Sequence, residues 1–393
     1  MKGMNVRETI KKDTKELHKK EAPPLEEMRI KSALKIKDRR PIKDAITRKG
    51  ERMNYLGVDC HKRKSFLTAM DSDGEIFGKW EIRNDGKELD RIFAKVGSDF
   101  EAVLEASSTW PVMYDLLEER VKKVVLAHPL KVKAIAEAKI KNDKIDSKTL
   151  AHLLRADLIP EAYAPPKETR YKKCLLRYRA SLVQVQTAVK NRIHAVLMRN
   201  HVSVEEQDAL SDLFGKKGRE YLTGIKLGGS DKEILGGYLD LIDFLLEKIK
   251  KTDKLIKEQI KEDKLIQLLL TMPGIGWVFA PLIRYEVDRI ERFSRCGKFL
   301  CYCALVPGLF ATGATSRTTG IIKQGNKYLK WAFIEAVTPA TRSSVALRAY
   351  YGRIQNKHGH HAARVAVARK LAKAAYHIMK EEKPFREELI REQ

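Results

Sequence analysis

Four carboxylates define the chemistry this chain is equipped for. Asp59 closes the apolar run Tyr55-Leu56-Gly57-Val58, and Glu105 closes the run from Phe100 to Leu104. Asp143 and Asp146 stand three apart at the start of a helical stretch, so they share one helix face. Carboxylates brought together repel one another unless cations sit between them, and an all-oxygen set suits Mg²⁺ or Mn²⁺. Two such ions held about 4 Å apart activate an attacking oxygen and stabilise a leaving one in phosphodiester chemistry. Each residue also has a plain structural use, Asp59 as a strand-end cap and Asp143 as a helix N-cap. Joint placement at two strand ends and one helix face is what sets the four apart. Asp71 and Asp73 belong to a turn, Asp71-Ser72-Asp73-Gly74, and are excluded.

That placement rests on an element pattern that begins at Asn54. Strands are expected at Tyr55–Asp59, Ser65–Met70 and Glu75–Ile82, with the Asp71–Gly74 hairpin turn between the last two. A helix from Gly86 to Lys95, a strand from Phe100, a helix from Thr109 to Glu119 and a strand from Lys123 to Ala127 follow. Two more helices are expected near 129–138 and 143–156. Three antiparallel strands followed by strand–helix alternation make an α/β domain with a mixed sheet. In an RNase H-like sheet the first and fourth strands are neighbours, which would bring Asp59 and Glu105 together. A doubly wound dinucleotide fold would need a glycine-rich turn where Asp59-Cys60-His61-Lys62 stands.

After Pro160, Pro165 and Pro166 the chain reads as helical. Leu175, Tyr178, Leu182, Val185, Val189, Ile193 and Val196 recur at spacings of three and four. Leu235, Leu239, Ile242, Leu246, Ile249, Ile256 and Ile260 do the same with one gap of seven. Two such helices form either a coiled-coil hairpin or a pair within a bundle. Pro273-Gly274-Ile275-Gly276 separates two apolar helical stretches like a helix-hairpin-helix turn, where Gly274 and Gly276 would let backbone N–H groups meet a DNA phosphate. The plainer reading is a helix-breaking turn. Pro307 to Gly325 reads as a loop of glycines and small hydroxyl residues, suited to an active site or a DNA contact, or simply to the surface. His358, His360 and His361 read as an exposed basic turn rather than a metal site, and Trp331, Tyr350 and Tyr351 as helix core.

Composition narrows the class. With 393 residues, 43% of them apolar, the chain can fill two or three domains. Lys and Arg number 77 against 52 Asp and Glu, a net charge of +25 that points to a polyanionic partner. Five scattered cysteines without a CxxC pair argue against a zinc site or a disulfide framework. Residues 1–52 carry 17 Lys and Arg against 9 Asp and Glu, with three prolines, and read as a basic flexible extension. The uncharged stretch Leu265 to Ile283 holds Pro273, Gly274, Gly276 and Pro281, so it reads as two short helices and not a membrane span.

Taken in order, these motifs resemble one family. Gly57-Val58-Asp59-Cys60-His61-Lys62, Leu104-Glu105-Ala106 and Asn142-Asp143-Lys144-Ile145-Asp146-Ser147 resemble the DEDD transposase domain. Met272-Pro273-Gly274-Ile275-Gly276, then Leu305-Val306-Pro307, then Gly320 to Leu329 resemble the C-terminal domain of the same insertion-sequence-110 family. The resemblance runs from about Asn54 to about Ala340. It implies a RuvC-like (RNase H-like) catalytic domain at 53–160, a coiled-coil linker at 161–263 and a mostly α-helical C-terminal transposase domain at 264–393. It implies a recombinase that acts as a dimer or tetramer on DNA, guided by a structured RNA from its own element. The family's acidic tetrad carries over onto Asp59, Glu105, Asp143 and Asp146, which would hold Mg²⁺ or Mn²⁺.

One departure matters. The family's C-terminal domain places a nucleophilic serine five residues after the Leu-Val-Pro proline, before a glycine. Here that position is Thr312, followed by Gly313. A threonine hydroxyl can attack, although its β-branch restricts χ1. Thr312 keeps the position and the hydroxyl and is the preferred nucleophile. Ser316 is the alternative, and a third reading is a copy whose strand transfer is impaired. Arg317 and Lys323 are placed by charge and proximity to steady the phosphate. The rival functions are a junction-resolvase-like endonuclease that uses water and an inactive nucleic-acid-binding transposase remnant. The expected setting is a reducing cytosol, at the nucleoid, with no membrane.

Overall fold

The structure, a computed structural model, describes residues 53–135, 143–203, 205, 207, 210–312, 315–322 and 324–388. The expected basic extension at 1–52 lies outside the described residues. The chain divides into two compact units between Tyr163 and Ala164.

The first unit is built on five strands: β1 (Asn54–Cys60), β2 (Lys64–Met70), β3 (Ile76–Arg83), β4 (Phe100–Glu105) and β5 (Lys123–Ala127). Their order is β3-β2-β1-β4-β5. β1 pairs antiparallel with β2 and parallel with β4, which in turn pairs parallel with β5. The hairpins at the start supply the antiparallel half, and helical crossovers supply the parallel half. Helices α1 (Gly86–Val96) and α2 (Trp110–Glu118) lie on one face and are tied together by Arg120 Nε to Asp90 Oδ1 at 2.7 Å. There Leu89, Met113 and Leu117 are fully buried, and Phe93 meets Phe100 with ring centroids 5.8 Å apart. Helices α3 (Pro129–Ile135) and α4 (Asp143–Arg155) close the other face, where Leu150, Leu153 and Leu154 pack on Val103, Val125 and Ala127. Each such side chain contributes about 1.5–3 kcal/mol by leaving water.

The second unit is mostly helical. Helix α5 (Lys167–Arg199) and, beyond the short α6 (Lys216–Gly224), helix α7 (Asp231–Ile260) pack side by side. Arg199 pairs with Asp231 and Arg179 with Asp253, so the two run antiparallel. The seam differs from the expected one in its details. Leu176 and Ala180 are buried while Tyr178 and Val185 are about half exposed, and Leu245 is buried in place of Leu246. The gap of seven is filled by Thr252, which is buried with its hydroxyl donating to the Lys248 carbonyl at 2.8 Å.

Helices α8 (Lys264–Leu270), α9 (Phe279–Val287) and α10 (Cys296–Tyr302) follow. The segment expected as a loop is instead a two-stranded ribbon, β6 (Pro307–Thr312) with β7 (Thr315–Ile321). The run Thr315 to Thr319 is rich in β-branched residues, and that preference outweighs the flanking glycines. Helices α11 (Lys327–Ser343) and α12 (Val345–Glu381) complete the unit, α12 being broken at Gly359 by a φ of 83°. Phe299, Phe333, Leu371 and Ala372 are buried at the centre of its core. Among the described residues no helix is long and apolar enough to cross a membrane.

Candidate active site

The parallel register of β1 and β4 aligns Val58 with Leu104, so Asp59 and Glu105 follow in line at the ends of neighbouring strands. Side chains alternate along a strand, which puts Asp59 on the same face as Gly57 and Tyr55, and Glu105 on that face with Val103. This is the face that α4 covers. A Cβ at Gly57 would overlap the carbonyl oxygen of Ser147 and lie 2.6 Å from the Ala151 nitrogen, so glycine is what allows the helix to approach. One residue pair fixes the contact: Thr68 Oγ1 and Ser147 Oγ are 2.9 Å apart and both buried.

Helix α4 runs opposite to β1. Its last residue, Arg155, donates from Nη1 to the Ser72 carbonyl at 3.2 Å, just past Met70, the register partner of Tyr55. The first turn of α4, with Asp143 and Asp146, therefore lies toward the strand ends that carry Asp59 and Glu105. Asp146 directly precedes the buried Ser147 and is itself half-buried, and Asp143 stands one turn before Ser147 in the helix. The side chain of Asp143 lies outside the described residues.

The rim of this site is also ordered. Asp59, about one-fifth exposed, meets His61 Nε2 through Oδ2 at 3.1 Å. The turn carrying His61 is held by Asn84, whose Nδ2 donates to the His61 carbonyl at 2.7 Å while its Oδ1 accepts from Ser65 Oγ at 2.7 Å. Thr109 Oγ1 donates to the Cys60 carbonyl at 3.2 Å, tying the segment after β4 to the end of β1. Nothing in the sequence separates Asn84 and Thr109 from other polar loop residues, and His61 stands out there only as part of the Gly57–Lys62 motif.

No three carboxylate, histidine or cysteine side chains among the described residues are grouped as a ready-made metal site. The residues whose backbone lies toward this edge carry carboxylates, at two strand ends and at a helix start. That donor chemistry fits a hard divalent cation better than a soft one.

In the second unit, Thr312 ends β6 and pairs with Thr315, and Ser316 pairs with Ala311. The two candidate nucleophiles thus occupy adjacent register positions. Arg317 pairs with Phe310. Lys323 and Gly313 lie outside the described residues. Gly274 has a φ of 78°, and a Cβ there would lie 2.9 Å from the Ala340 nitrogen, so the turn after α8 packs closely on α11. Gly276 is exposed, and a Cβ there would meet nothing. His360 Nδ1 lies 2.5 Å from the Tyr351 hydroxyl, beside the break at Gly359.

A buried carboxylate holds this unit together. Glu286 in α9 receives Arg177 Nε at 2.6 Å and Arg177 Nη2 at 2.9 Å, with Lys173 Nζ at 3.4 Å. Asn326 Nδ2 donates to it at 2.7 Å, while Asn326 Oδ1 caps α11 through the Tyr328 and Leu329 N–H groups. Burial pushes the Glu286 carboxyl up, but these hydrogen bonds and cations outweigh it and hold the group below the usual carboxylate range. Arg177 lies 109 residues from Glu286 and Asn326 lies 40, and no local pattern announces them.

Comparison with known proteins covers both units. Residues 56–201 match a family model described as a DEDD transposase domain of the IS110 type, and residues 266–352 match one described as the transposase IS116/IS110/IS902 family. Together they span more than half of the chain. The chain is 24% identical over 195 residues to the transposase for insertion sequence element IS1328 of Yersinia enterocolitica, covering 50% of this chain and 57% of that protein. It is also 24% identical over 331 residues to an insertion-sequence transposase of Coxiella burnetii, covering 81% of this chain and 85% of that one.

Proposed function

Because this chain belongs to the insertion-sequence-110 transposase family, we propose that it cuts and rejoins DNA by phosphoryl transfer, with Asp59, Glu105, Asp143 and Asp146 as its acidic tetrad and Thr312 as its nucleophile. The observation that carries this reading is the β1–β4 register. It aligns Asp59 with Glu105 on the face crossed by α4, whose first turn supplies Asp143 and Asp146. The strand order β3-β2-β1-β4-β5, with its mixed directions, supports an RNase H-like catalytic domain. The net charge of +25 supports a nucleic-acid substrate.

The four carboxylates would hold Mg²⁺ or Mn²⁺. When bound, such ions polarise a scissile phosphate and stabilise the departing oxygen. The sheet keeps Asp59 and Glu105 at fixed strand ends, and Gly57 with the Thr68–Ser147 contact keeps the start of α4 against them. His61 orients the Asp59 carboxylate through Oδ2. The Thr312 hydroxyl oxygen bonds to phosphorus as the bond to the leaving DNA oxygen breaks. Its proton is released and the leaving oxygen takes one up. A phosphodiester is exchanged for a phosphoester to the protein, and rejoining reverses the step. Gly276 at the exposed turn, with Arg317 and Lys323, would hold the DNA backbone. A structured RNA from the element and a homo-oligomer complete this reading.

The test is cleavage of the element's end DNA in Mg²⁺. Asp59→Asn should abolish cutting while nucleic-acid affinity stays within about twofold, since one carboxylate takes no part in phosphate contacts. Cutting at the wild-type rate by Asp59→Asn would refute the tetrad.

A further inference from the structure

Beside the base of the β6–β7 ribbon, the second unit carries a groove of about 860 Å³. Pro307 and Ile321, register partners at the open end of the ribbon, form one wall, and Leu300, Leu305 and Val365 contribute an apolar floor. The remaining wall is one stripe of α12, with Ala362, Ala366, Arg369 and Lys373 spaced at three and four residues. Lys370 completes a basic end.

The cations are crowded. Lys370 Nζ lies 4.7 Å and Arg353 Cζ 5.4 Å from the centroid of the Tyr350 ring, which also lines the groove. Burial, then the charges of Lys373 and Arg353, push the Lys370 amine below its ordinary range. Burial pushes the Cys296 thiol at the same end up, against the opposing charges of Lys373 and Arg369. No carboxylate lines the groove, and no ion pair joins Arg353, Arg369 or Lys373 to an acid among the described residues. Like charges gathered over a largely buried apolar floor repel each other, and a polyanion relieves that.

We propose that this groove binds a single strand of DNA in a sequence-tolerant way. Phosphates would meet Arg369, Lys370 and Lys373, and a base would lie on the apolar floor. Besides Tyr350 and His361, the polar side chains along the groove are basic ones that suit phosphates, so the lining fits a strand of no fixed sequence. The ribbon that starts at this groove ends at Thr312, about 17 Å further along β6. A strand held here would lie at the opposite end of the ribbon from the candidate nucleophile. Only the choice of DNA as the polyanion rests on the transposase reading.

The experiment is fluorescence anisotropy of labelled oligo-dT, with oligo-U and poly-glutamate as competitors, using the full chain. Losing two phosphate contacts should flatten the slope of log affinity against log salt by about 1.4 and weaken binding about tenfold at 0.15 M salt. Arg369→Ala/Lys373→Ala should show both effects, while Lys250→Ala/Lys254→Ala, on the exposed face of α7, should show clearly less. Val365→Trp fills the floor and leaves the charges, and should weaken binding without changing the slope. Circular dichroism checks that each variant is folded. The proposal is overturned if the groove variants bind as wild type, lose no more than the α7 control, or lose affinity for oligo-U or poly-glutamate instead. Loss of DNA cleavage with unchanged oligo-dT binding would likewise overturn the groove and leave the tetrad reading standing, whereas weakened binding with an inert Asp59 would leave the groove standing alone.

Discussion

Gly57→Ala is the most informative single change in the first unit. The added methyl would overlap the Ser147 carbonyl and stand 2.6 Å from the Ala151 nitrogen, against an ordinary contact of 3.4 Å or more. Both obstacles are backbone, so no side chain can swing aside. Helix α4 must withdraw by about 1 Å or β1 must bend, and overpacking of that kind costs about 1–3 kcal/mol. For a unit of this size each kcal/mol lowers the melting midpoint by about 2–4 °C, giving a fall of roughly 2–12 °C. The functional loss should be larger than the thermal one. A shift of about 1 Å moves Asp143 and Asp146 away from Asp59 and Glu105, and misplacement on that scale costs about a hundredfold in rate. Differential scanning calorimetry and single-turnover cleavage of end DNA, both at 20 °C below the variant's midpoint or lower for the kinetics, give the two numbers. A variant that melts as wild type and cuts within threefold of it would show that α4 does not position the carboxylates.

Other consequences follow from the same contacts. Glu286→Gln removes the counter-charge of Arg177 and Lys173, and because Arg177 keeps some solvent the cost should be about 3 kcal/mol, a midpoint drop of about 6–12 °C. The Glu286 carboxyl is held low in the folded chain, so its contribution is present above the unfolded carboxyl value near 4.3 and is lost as pH falls through the folded value. Melting curves from pH 6 to pH 3 should therefore fall more steeply for wild type than for Glu286→Gln. Thr68→Val removes one buried hydrogen bond, that between Thr68 Oγ1 and Ser147 Oγ, and should cost about 0.5–1.5 kcal/mol in urea unfolding. Gly274→Ala should lower the midpoint measurably, since a φ of 78° and the approach to α11 both oppose a side chain.

Much of the first unit was legible in the amino-acid order. Most strands there are short apolar runs, a turn is marked by Asp71–Gly74, and Asp59 and Glu105 stand where such runs stop. Strand adjacency then follows from simple topology. The ribbon at Pro307–Ile321 reads as a loop because Pro307, Gly308, Gly313 and Gly320 look like loop punctuation, and the β-branched threonines between them are the opposing signal. The helical seam of α5 was right in period and off in phase near Tyr178 and Val185, since a stripe of apolar residues wider than the contact has more than one way to face its partner. Glu286 was missed because its meaning is non-local. A lone acid in the apolar stretch from Phe279 to Val287 becomes intelligible only when Arg177 and Asn326 arrive from distant segments. Gly57 was noticed as part of a motif, but its role depends on a helix ninety residues later.

The central claim is that a protein hydroxyl attacks the DNA phosphate within a metal-dependent transposase. The direct measurement is a denaturing-gel assay for a covalent protein–DNA adduct, with Mg²⁺, end DNA and RNA transcribed from the flanking non-coding region. Wild type would run beside Asp59→Asn, Thr312→Ala and Ser316→Ala. The account predicts an adduct in wild type and Ser316→Ala, and none in Asp59→Asn or Thr312→Ala. An adduct that survives in Thr312→Ala and vanishes in Ser316→Ala would contradict the nucleophile assignment, and cleavage with no adduct in any lane would contradict the claim itself and assign the attack to water.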